Sequence, residues 1–380
     1  MTPRINYTSV IELQKFDPIA VSSKLGICGN SIRVDAYSGC TYDCDYCEFH
    51  RRIIMANKSQ SKNGDDKVLE HRLQRVLEYH IVHPNDMVDH LIAAGYDWHL
   101  GGIADPWQPC EAEYHVTQKI IALSVLYGIH VVISTKAADP YGADLRPELH
   151  AIQMSVTNVH DRCDIEPNVP PIQERLDFYH RLKRDGFRIA IRIQPFIPGV
   201  SGLDIVQTFD NADHYIIEGL KLPPQDASGG RAIAKKLGLD YDRDFVCRGG
   251  MMMLRPEFRL KLYAPLIDYF KTHELSYSIS DNDLRYLGNN DCCCGDAIVN
   301  KPIEFNTTNL IKTYGLNFSR EDFNRELCKL PGAGCTCGKI RASNRTRKGE
   351  TFEQLANRLY GSQMSPMSPK FQFRDGTDGR

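Results

Sequence analysis

The sequence predicts an α/β fold, namely a partial (βα)6 TIM-type barrel with a cysteine-rich extension on its C-terminal side. Short β-branched segments alternate with amphipathic helical segments through the middle of the chain. Repeated βα units favour a parallel sheet with right-handed crossovers, and six units are fewer than the eight of a complete barrel. Six of the thirteen cysteines follow these units, between Cys292 and Cys337.

The predicted elements follow one another in chain order. A short alternating segment at 31–37 precedes the first cysteine-rich loop and begins the series. The further predicted strands are 98–105, 130–136, 152–158, 188–196 and 215–222, with 276–280 as a candidate seventh strand. The predicted helices are 111–127 and 171–185, and Gly186 is a typical residue for the end of the second one.

These elements divide the chain into four regions. Residues 1–30 form an N-terminal extension, 31–285 the partial barrel, 286–345 a cysteine-rich auxiliary metal-cluster region, and 346–380 a C-terminal helix and loose tail. In barrels of this type the chemistry lies at the carboxyl ends of the strands.

Composition and charge narrow the class of protein. The chain has 380 residues, of which 42% are hydrophobic and 25% charged, as in an ordinary globular protein. No apolar run approaches the ~20 residues of a membrane span, and no signal-peptide core is visible, so we expect a cytoplasmic protein without membrane contact. Thirteen cysteines in a reducing compartment indicate metal or redox chemistry. A net charge of −2 excludes nucleic-acid binding by bulk charge alone.

Cys40, Cys44 and Cys47 form a C-x3-C-x2-C loop directly after the first predicted strand. A [4Fe–4S] cluster normally takes four thiolates, so a loop that offers three leaves one iron open to a small molecule. A Cys3His zinc site that includes His50 is the alternative. Disulfides are disfavoured, because the cysteines are clustered and no secretory signal is visible.

Because Tyr46 stands directly before the last cysteine, this loop resembles that of the radical S-adenosylmethionine (SAM) enzymes. The segment 105–111, Asp-Pro-Trp-Gln-Pro-Cys-Glu, resembles the D-P-Y-Q-P-x-E stretch of their spore photoproduct lyase-like branch. Further matches to that branch occur in order at 134–136, 154–157, 166–167, 175–176 and 192–199.

The resemblance implies a mechanism and a set of residues. A [4Fe–4S] cluster on Cys40, Cys44 and Cys47 binds SAM and, after reduction by a one-electron donor such as flavodoxin or ferredoxin, cleaves it to a 5′-deoxyadenosyl radical. The implied cofactor-binding residues are Tyr46, Gly101, Gly102, Lys136, Ser155 and Arg192. Lys136 and Cys110 are also candidate catalytic residues. Cys110 could donate a hydrogen atom to a product radical or be an inert small residue.

A second group of cysteines lies beyond the barrel. Its members, flanked by glycines, are Cys292, Cys293, Cys294, Cys328, Cys335 and Cys337. Three adjacent cysteines cannot all point at one centre, so one or two of them with the later three could hold an auxiliary [4Fe–4S] cluster or a structural zinc ion.

Basic segments suggest the substrate. Residues 339–348 carry five cations and no acid, and 50–52 add positive charge beside the cysteine loop. With the family's link to thymine chemistry, these segments favour a nucleic-acid base as substrate, in DNA and thymine-derived, for modification, rearrangement or repair by a lyase or isomerase. A radical SAM enzyme that modifies peptides is the main alternative. A non-catalytic iron–sulfur or zinc protein that binds nucleic acid is the alternative from another class.

Overall fold

A sheet of eight strands forms the centre of the protein. The computed structural model describes residues 15–21, 29–30, 32–47, 62–84, 86–223, 229–248, 251–281, 283–290 and 292–303. The strands are β1 (Lys15–Phe16), β2 (Ile19–Val21), β3 (Ile32–Val34), β4 (Asn63–Gly64), β5 (Trp98–Leu100), β6 (Val131–Thr135), β7 (His150–Ser155), β8 (Arg188–Phe196), β9 (His214–Gly219), β10 (Lys221–Leu222), β11 (Phe245–Arg248), β12 (Met251–Leu254) and β13 (Tyr277–Ile279).

Helices connect most of these strands. They are α1 (Asp66–Leu73), α2 (Met87–Ala93), α3 (Glu111–Tyr114), α4 (Val116–Tyr127), α5 (Ile172–Arg184), α6 (Leu203–Thr208), α7 (Gly230–Lys236), α8 (Tyr241–Asp244) and α9 (Pro256–Thr272). Gln74–Glu78 continues α1 as a π-helical turn, and Arg285–Leu287 is a 3-10 turn. Gly186 follows α5 at φ 83°, in the left-handed conformation that was expected where the helix ends. No helix in the described ranges is long and apolar enough to cross a membrane.

The predicted α/β class is confirmed by the order of the sheet, β13-β9-β8-β7-β6-β5-β3-β2. All neighbouring strands from β3 to β13 pair in parallel, and only β2 runs antiparallel. The candidate seventh strand is present, because Tyr277–Ile279 pairs with β9. Within the described residues no pairing joins β13 to the other end of the sheet. Parallel strands in sequential order bring all their carboxyl ends to one edge.

The two faces of the sheet have different surroundings. Side chains such as Ile133 and Ile152 belong to the main core with the residues of the covering helices. The alternate positions, Val132, Ala151, Ala190 and Ile216, form a separate apolar cluster with the segment after β13. This alternation is what a strand period of two residues predicts for a sheet that is buried on both faces.

The predicted continuous helix at 111–127 is wrong, because the helix is interrupted at His115, whose φ is 53°. The interruption has a clear cause. The buried Glu111 carboxylate accepts hydrogen bonds from the backbone N–H groups of Thr117 at 2.9 Å and Gln118 at 2.8 Å. A carboxylate at the start of α4 satisfies N–H groups that a new helix leaves unpaired.

Three predicted strands end earlier than expected. The strand predicted at 152–158 begins at His150 and ends at Ser155. The strand predicted at 98–105 ends at Leu100, since Gly101 has a φ of 91° and leaves the ladder. The strand predicted at 215–222 ends at Gly219, whose N–H donates to Asp281 at 3.1 Å. The following residues, 221–222, form β10 and pair with β12 in a separate antiparallel sheet of order β10-β12-β11.

The segment 292–303 covers the amino ends of the strands. Arg188, the first residue of β8, donates to the Asn300 side chain at 2.9 Å and to the Ala297 carbonyl at 3.2 Å. The Asp97 carboxylate, just before β5, accepts the Lys301 N–H at 3.2 Å. We call the face that carries Val132, Ala151, Ala190 and Ile216 the inner face of the sheet. The segment 292–303 closes this face at the amino ends of the strands.

We expect Gly101→Ala to destabilise the fold, because Ala disfavours the left-handed conformation and its Cβ would lie 2.4 Å from the Ser134 carbonyl oxygen. The loss in unfolding free energy should be roughly 3 kcal/mol, measured by urea denaturation. Gly128→Ala is the matched control, since Gly128 also has a positive φ, 63°, but no atom within 4 Å of the added Cβ. That control should lose only about 1 kcal/mol. Equal losses would show that the contact with β6 does not matter.

Candidate active site

The cysteine loop lies beyond the carboxyl end of β3 and is held from both sides of Cys40. The Gln108 amide donates to the Gly39 carbonyl at 2.9 Å, and its oxygen accepts the Thr41 N–H at 2.8 Å. The Cys47 N–H donates to the Cys44 carbonyl at 3.0 Å, which closes a turn between the second and third cysteines. One side-chain amide thus fixes the backbone on either side of the first cysteine.

The three thiols of this loop are sheltered and close enough to influence one another. Cys44 is buried, and Cys40 and Cys47 are partly buried. Burial raises the pKa of Cys40 to about 12, and the charge of Asp105 adds to that effect. Burial also raises the pKa of Cys44, which the Lys136 charge partly opposes. Three thiols that form no disulfide, on one braced loop, fit the donor set of an iron–sulfur cluster with an open iron, and metal binding would displace their protons.

An ion pair lies behind this loop. The Lys136 ammonium, just after β6, is 2.7 Å from a Glu166 carboxylate oxygen and 3.2 Å from the Thr157 hydroxyl. The Tyr46 hydroxyl donates to the same carboxylate, and Lys136 Nζ lies 5.7 Å from the centre of the Tyr46 ring. The structure therefore joins two predicted cofactor-binding residues, Tyr46 and Lys136, through a third residue to which the sequence assigned no role.

The Glu166 carboxylate is almost completely buried and is the centre of a hydrogen-bond network. The Asn158 amide donates to its second oxygen at 3.0 Å. Burial by itself raises the pKa of Glu166, but the charges of Lys136 and Arg175 and the hydrogen bonds together hold it below its ordinary value. Glu166 therefore remains an anion, and it neutralises Lys136.

The segment 105–111 connects neighbouring strand ends. The Asp105 carboxylate accepts hydrogen bonds from the Thr135 hydroxyl at 2.8 Å and from the Lys136 N–H at 2.5 Å. The carboxylates of Asp105 and Glu111 thus accept hydrogen bonds from backbone N–H groups of neighbouring segments. These bonds give a structural role to two residues of the segment that resembles the family motif. Cys110 lies at the start of α3, where burial raises its pKa, with a further contribution from Glu111. The thiol is protonated, as a hydrogen-atom donor must be, and its role stays a prediction.

Polar side chains occupy the inner face of the sheet. The Ser134 hydroxyl donates to the side-chain amide oxygen of Gln153, Oε1, at 2.9 Å and lies 2.7 Å from His99 Nε2. We call His99, Ser134 and Gln153 the inner-face triad. Burial lowers the pKa of His99 to about 3, with the charge of Arg192 adding to the effect, so the ring is neutral.

Arg192 lies beside this triad and differs from Lys136 in its partners. Its guanidinium donates to the Ser134 hydroxyl at 3.3 Å and to the Gln194 side chain, and it has no acidic partner among the described residues. Ser155 is the neighbour of Arg192 in the register of β7 and β8. A partly buried guanidinium with only neutral partners is a ready binding group for an anion.

Gly101 and Gly102 lie directly after β5, as predicted, and both have close neighbours. A Cβ on Gly102 would lie 2.9 Å from the Arg33 side chain. These contacts explain both glycines by packing, and a role in SAM binding stays a prediction.

The late cysteines do not join the cysteine loop. Cys292, Cys293 and Cys294 are buried near the amino ends of the strands, against the apolar inner-face cluster, whereas the first cysteine loop follows a carboxyl end. In the described part of the chain no group of three or more His, Cys, Asp or Glu side chains is placed to hold a single metal ion. Cys328, Cys335 and Cys337 lie outside the described residues, as do His50 and the basic segment 339–348.

Sequence reasoning assigned no role to Gln108, Glu166 or the inner-face triad. The triad left a usable signal, because Ser134 and Gln153 are polar residues within strands whose first halves are mainly apolar. The hydrogen-bond partners of Gln108 and Glu166 could not be predicted, because most of them lie far away in the sequence and come close only when the strands assemble.

Part of the chain is similar in sequence to a known protein. No protein-family model matches the chain. A curated protein of Pseudomonas phage M6, "Radical SAM Nalpha-GlyT isomerase", is 28% identical over 113 residues, which are 28% of this chain and 23% of that protein. The chain thus matches less than a quarter of that relative's length.

Solved structures are also similar. Spore photoproduct lyase complexed with dinucleoside spore photoproduct shares 12% identity, with a TM-score of 0.49 over 72% of this chain and 80% of that chain. Streptococcus suis SuiB bound to S-adenosylmethionine shares 10% identity, with a TM-score of 0.40 over 67% and 52% of the two chains.

The chain is similar to radical SAM enzymes, as the sequence predicted. The phage relative is named as an isomerase of that class.

We expect Glu166→Gln to lower the unfolding free energy of the metal-free protein by roughly 2–3 kcal/mol at pH 7, because it leaves Lys136 without its counter-charge. The pKa of Glu166 is depressed in the folded state, so its stabilising effect is complete above the ordinary glutamate pKa of about 4.3. That effect is lost as the pH falls through the folded-state value. Urea denaturation should therefore show the difference from wild type shrinking below about pH 4.

Glu174→Gln, at an exposed position of α5, is the control and should change stability little at either pH. A Glu166→Gln difference that does not vary with pH would contradict an ionised Glu166.

Proposed function

We propose that this protein is a radical SAM enzyme that acts on a nucleic-acid base, with Cys40, Cys44 and Cys47 as the cluster ligands. The observation that carries the proposal is the braced loop with its three sheltered thiols. When bound, a [4Fe–4S] cluster and SAM supply a 5′-deoxyadenosyl radical that removes a hydrogen atom from an unactivated C–H bond.

The chain's own residues would orient SAM at the strand ends. Lys136 is neutralised by Glu166, so we assign the SAM carboxylate to the guanidinium of Arg192, which has only neutral partners. Ser155, its neighbour in the register, lies within the same part of the sheet. Lys136 and Glu166 would then position Tyr46 behind the cluster instead of contacting the substrate.

For the substrate we propose a base of DNA, thymine-derived, with modification or rearrangement as the outcome. The basic segments at 50–52 and 339–348 support contact with phosphates. The name of the phage relative, an isomerase, agrees with a rearrangement. A cytoplasmic location and a flavodoxin or ferredoxin as electron donor complete the proposal.

Anaerobically reconstituted protein with dithionite and SAM should release 5′-deoxyadenosine, measured by chromatography. Cys44→Ala should abolish that release, because a cluster needs all three thiolates of the loop. Cys163→Ala, which removes an exposed free cysteine, is the matched control and should retain it.

No 5′-deoxyadenosine from the wild type would overturn the enzyme class. With deuterated DNA, RNA and peptide pools, deuterium should enter 5′-deoxyadenosine from DNA. Transfer from the peptide pool alone would favour a peptide-modifying enzyme.

We also propose an auxiliary [4Fe–4S] cluster that uses one or two of Cys292, Cys293 and Cys294 with Cys328, Cys335 and Cys337. The burial of the first three beneath the sheet would shelter such a cluster from solvent at the end opposite to SAM. A structural zinc ion is the alternative that the same thiolates could hold.

Replacing both Cys335 and Cys337 by Ala should lower the iron content of reconstituted protein from about eight to about four atoms per chain. Metal analysis by mass spectrometry measures the change, and Cys247→Ala, at an exposed position in β11, is the control. Loss of one zinc atom with unchanged iron would assign the site to zinc instead.

A further inference from the structure

The hydrogen atoms of the inner-face triad can be assigned from its contacts. Gln153 Oε1 can only accept, so the Ser134 hydroxyl donates its single hydrogen to that atom, at 2.9 Å. His99 Nε2 lies 2.7 Å from the same hydroxyl and must therefore carry a hydrogen and donate it. Because the ring is neutral, its other nitrogen, Nδ1, has a free lone pair.

Two groups of the triad have no partner among the described residues. His99 Nδ1 accepts no hydrogen bond there, and the Gln153 Nε2 donor is fully buried without a partner. An unpaired buried amide costs roughly 1–3 kcal/mol. A ligand that fills the inner face would recover this free energy.

These two groups have opposite hydrogen-bonding character. His99 Nδ1 accepts a hydrogen bond, and the amide nitrogen of Gln153 donates one. A ligand that satisfies both presents an N–H beside a carbonyl oxygen. A carboxylate satisfies only the donor, and its charge would face the lone pair of the imidazole.

The triad adjoins the residues that we assign to SAM. Ser134 is its central member and also accepts a hydrogen bond from Arg192 at 3.3 Å. His99 is partly buried on a central strand of the sheet. A group held by the triad would therefore lie on the same face as the SAM-binding guanidinium.

From these contacts we infer that His99 and Gln153, aligned by Ser134, read the N–H and the adjacent carbonyl of a pyrimidine-2,4-dione base. The inference rests on the proposed function for the class of substrate and names the residues that recognise it. Enzymes that act on an extruded base read it by hydrogen bonds to this edge.

The test compares thymidine with 3-methylthymidine, which lacks the N–H, as ligands of the SAM-loaded, reconstituted enzyme in equilibrium dialysis. Thymidine should bind at least about tenfold more tightly, because the methyl group leaves His99 Nδ1 unpaired. This comparison uses wild-type protein and does not depend on whether a variant folds. Equal binding of the two nucleosides, or binding of neither, overturns the inference. Tighter binding of deoxyguanosine than of thymidine overturns the pyrimidine assignment.

Substitutions then test which side chains recognise the base. His99→Phe removes the acceptor of the N–H and should reduce the preference for thymidine to about threefold or less, with cluster content as the check on folding. Gln153→Glu removes the donor to the carbonyl oxygen, which both nucleosides carry, so it should weaken the binding of both by about tenfold. Gln173→Glu, an exposed site on α5, is the matched control and should keep the full preference and affinity. An unchanged preference in His99→Phe, or unchanged affinity in Gln153→Glu, contradicts the assignment. Release of 5′-deoxyadenosine tests the proposed function separately, since it needs no pyrimidine.

Discussion

The buried carboxylate of Glu166 is the constraint on which the candidate site depends. A charge at this depth is costly unless it is paired and hydrogen-bonded. Lys136 after β6 and Asn158 after β7 bind it, and Tyr46 reaches it from the cysteine loop. Satisfying one anion thus fixes the relative positions of two strand ends and the loop that carries the thiols.

The two ends of the sheet differ in chemistry. At the carboxyl ends, hydrogen bonds from Gln108 and to Asp105 hold loops that present thiols and charged groups. At the amino ends, the segment 292–303 packs on apolar side chains and closes the inner face. A ligand of the inner-face triad would therefore enter from the end that carries the cysteine loop.

Much of the fold could be predicted from local patterns. β-Branched runs such as 131–135 mark buried strands, and the glycine after α5 marks its end. The break at His115 could not be predicted, because it depends on a carboxylate that caps the next helix. The position of Lys136 at a strand end could be predicted, but its ion pair with Glu166, thirty positions later, could not.

The sequence by itself determined the cysteine loop and the class of enzyme that it resembles. Three thiols within one short loop are close because the chain is short there, whatever the rest of the fold does. Only the tertiary structure decided which cation stays available to an anion, Arg192, and which polar residues meet on the inner face. Those contacts join side chains on different strands, so they depend on the register of the parallel sheet and on which face each residue occupies.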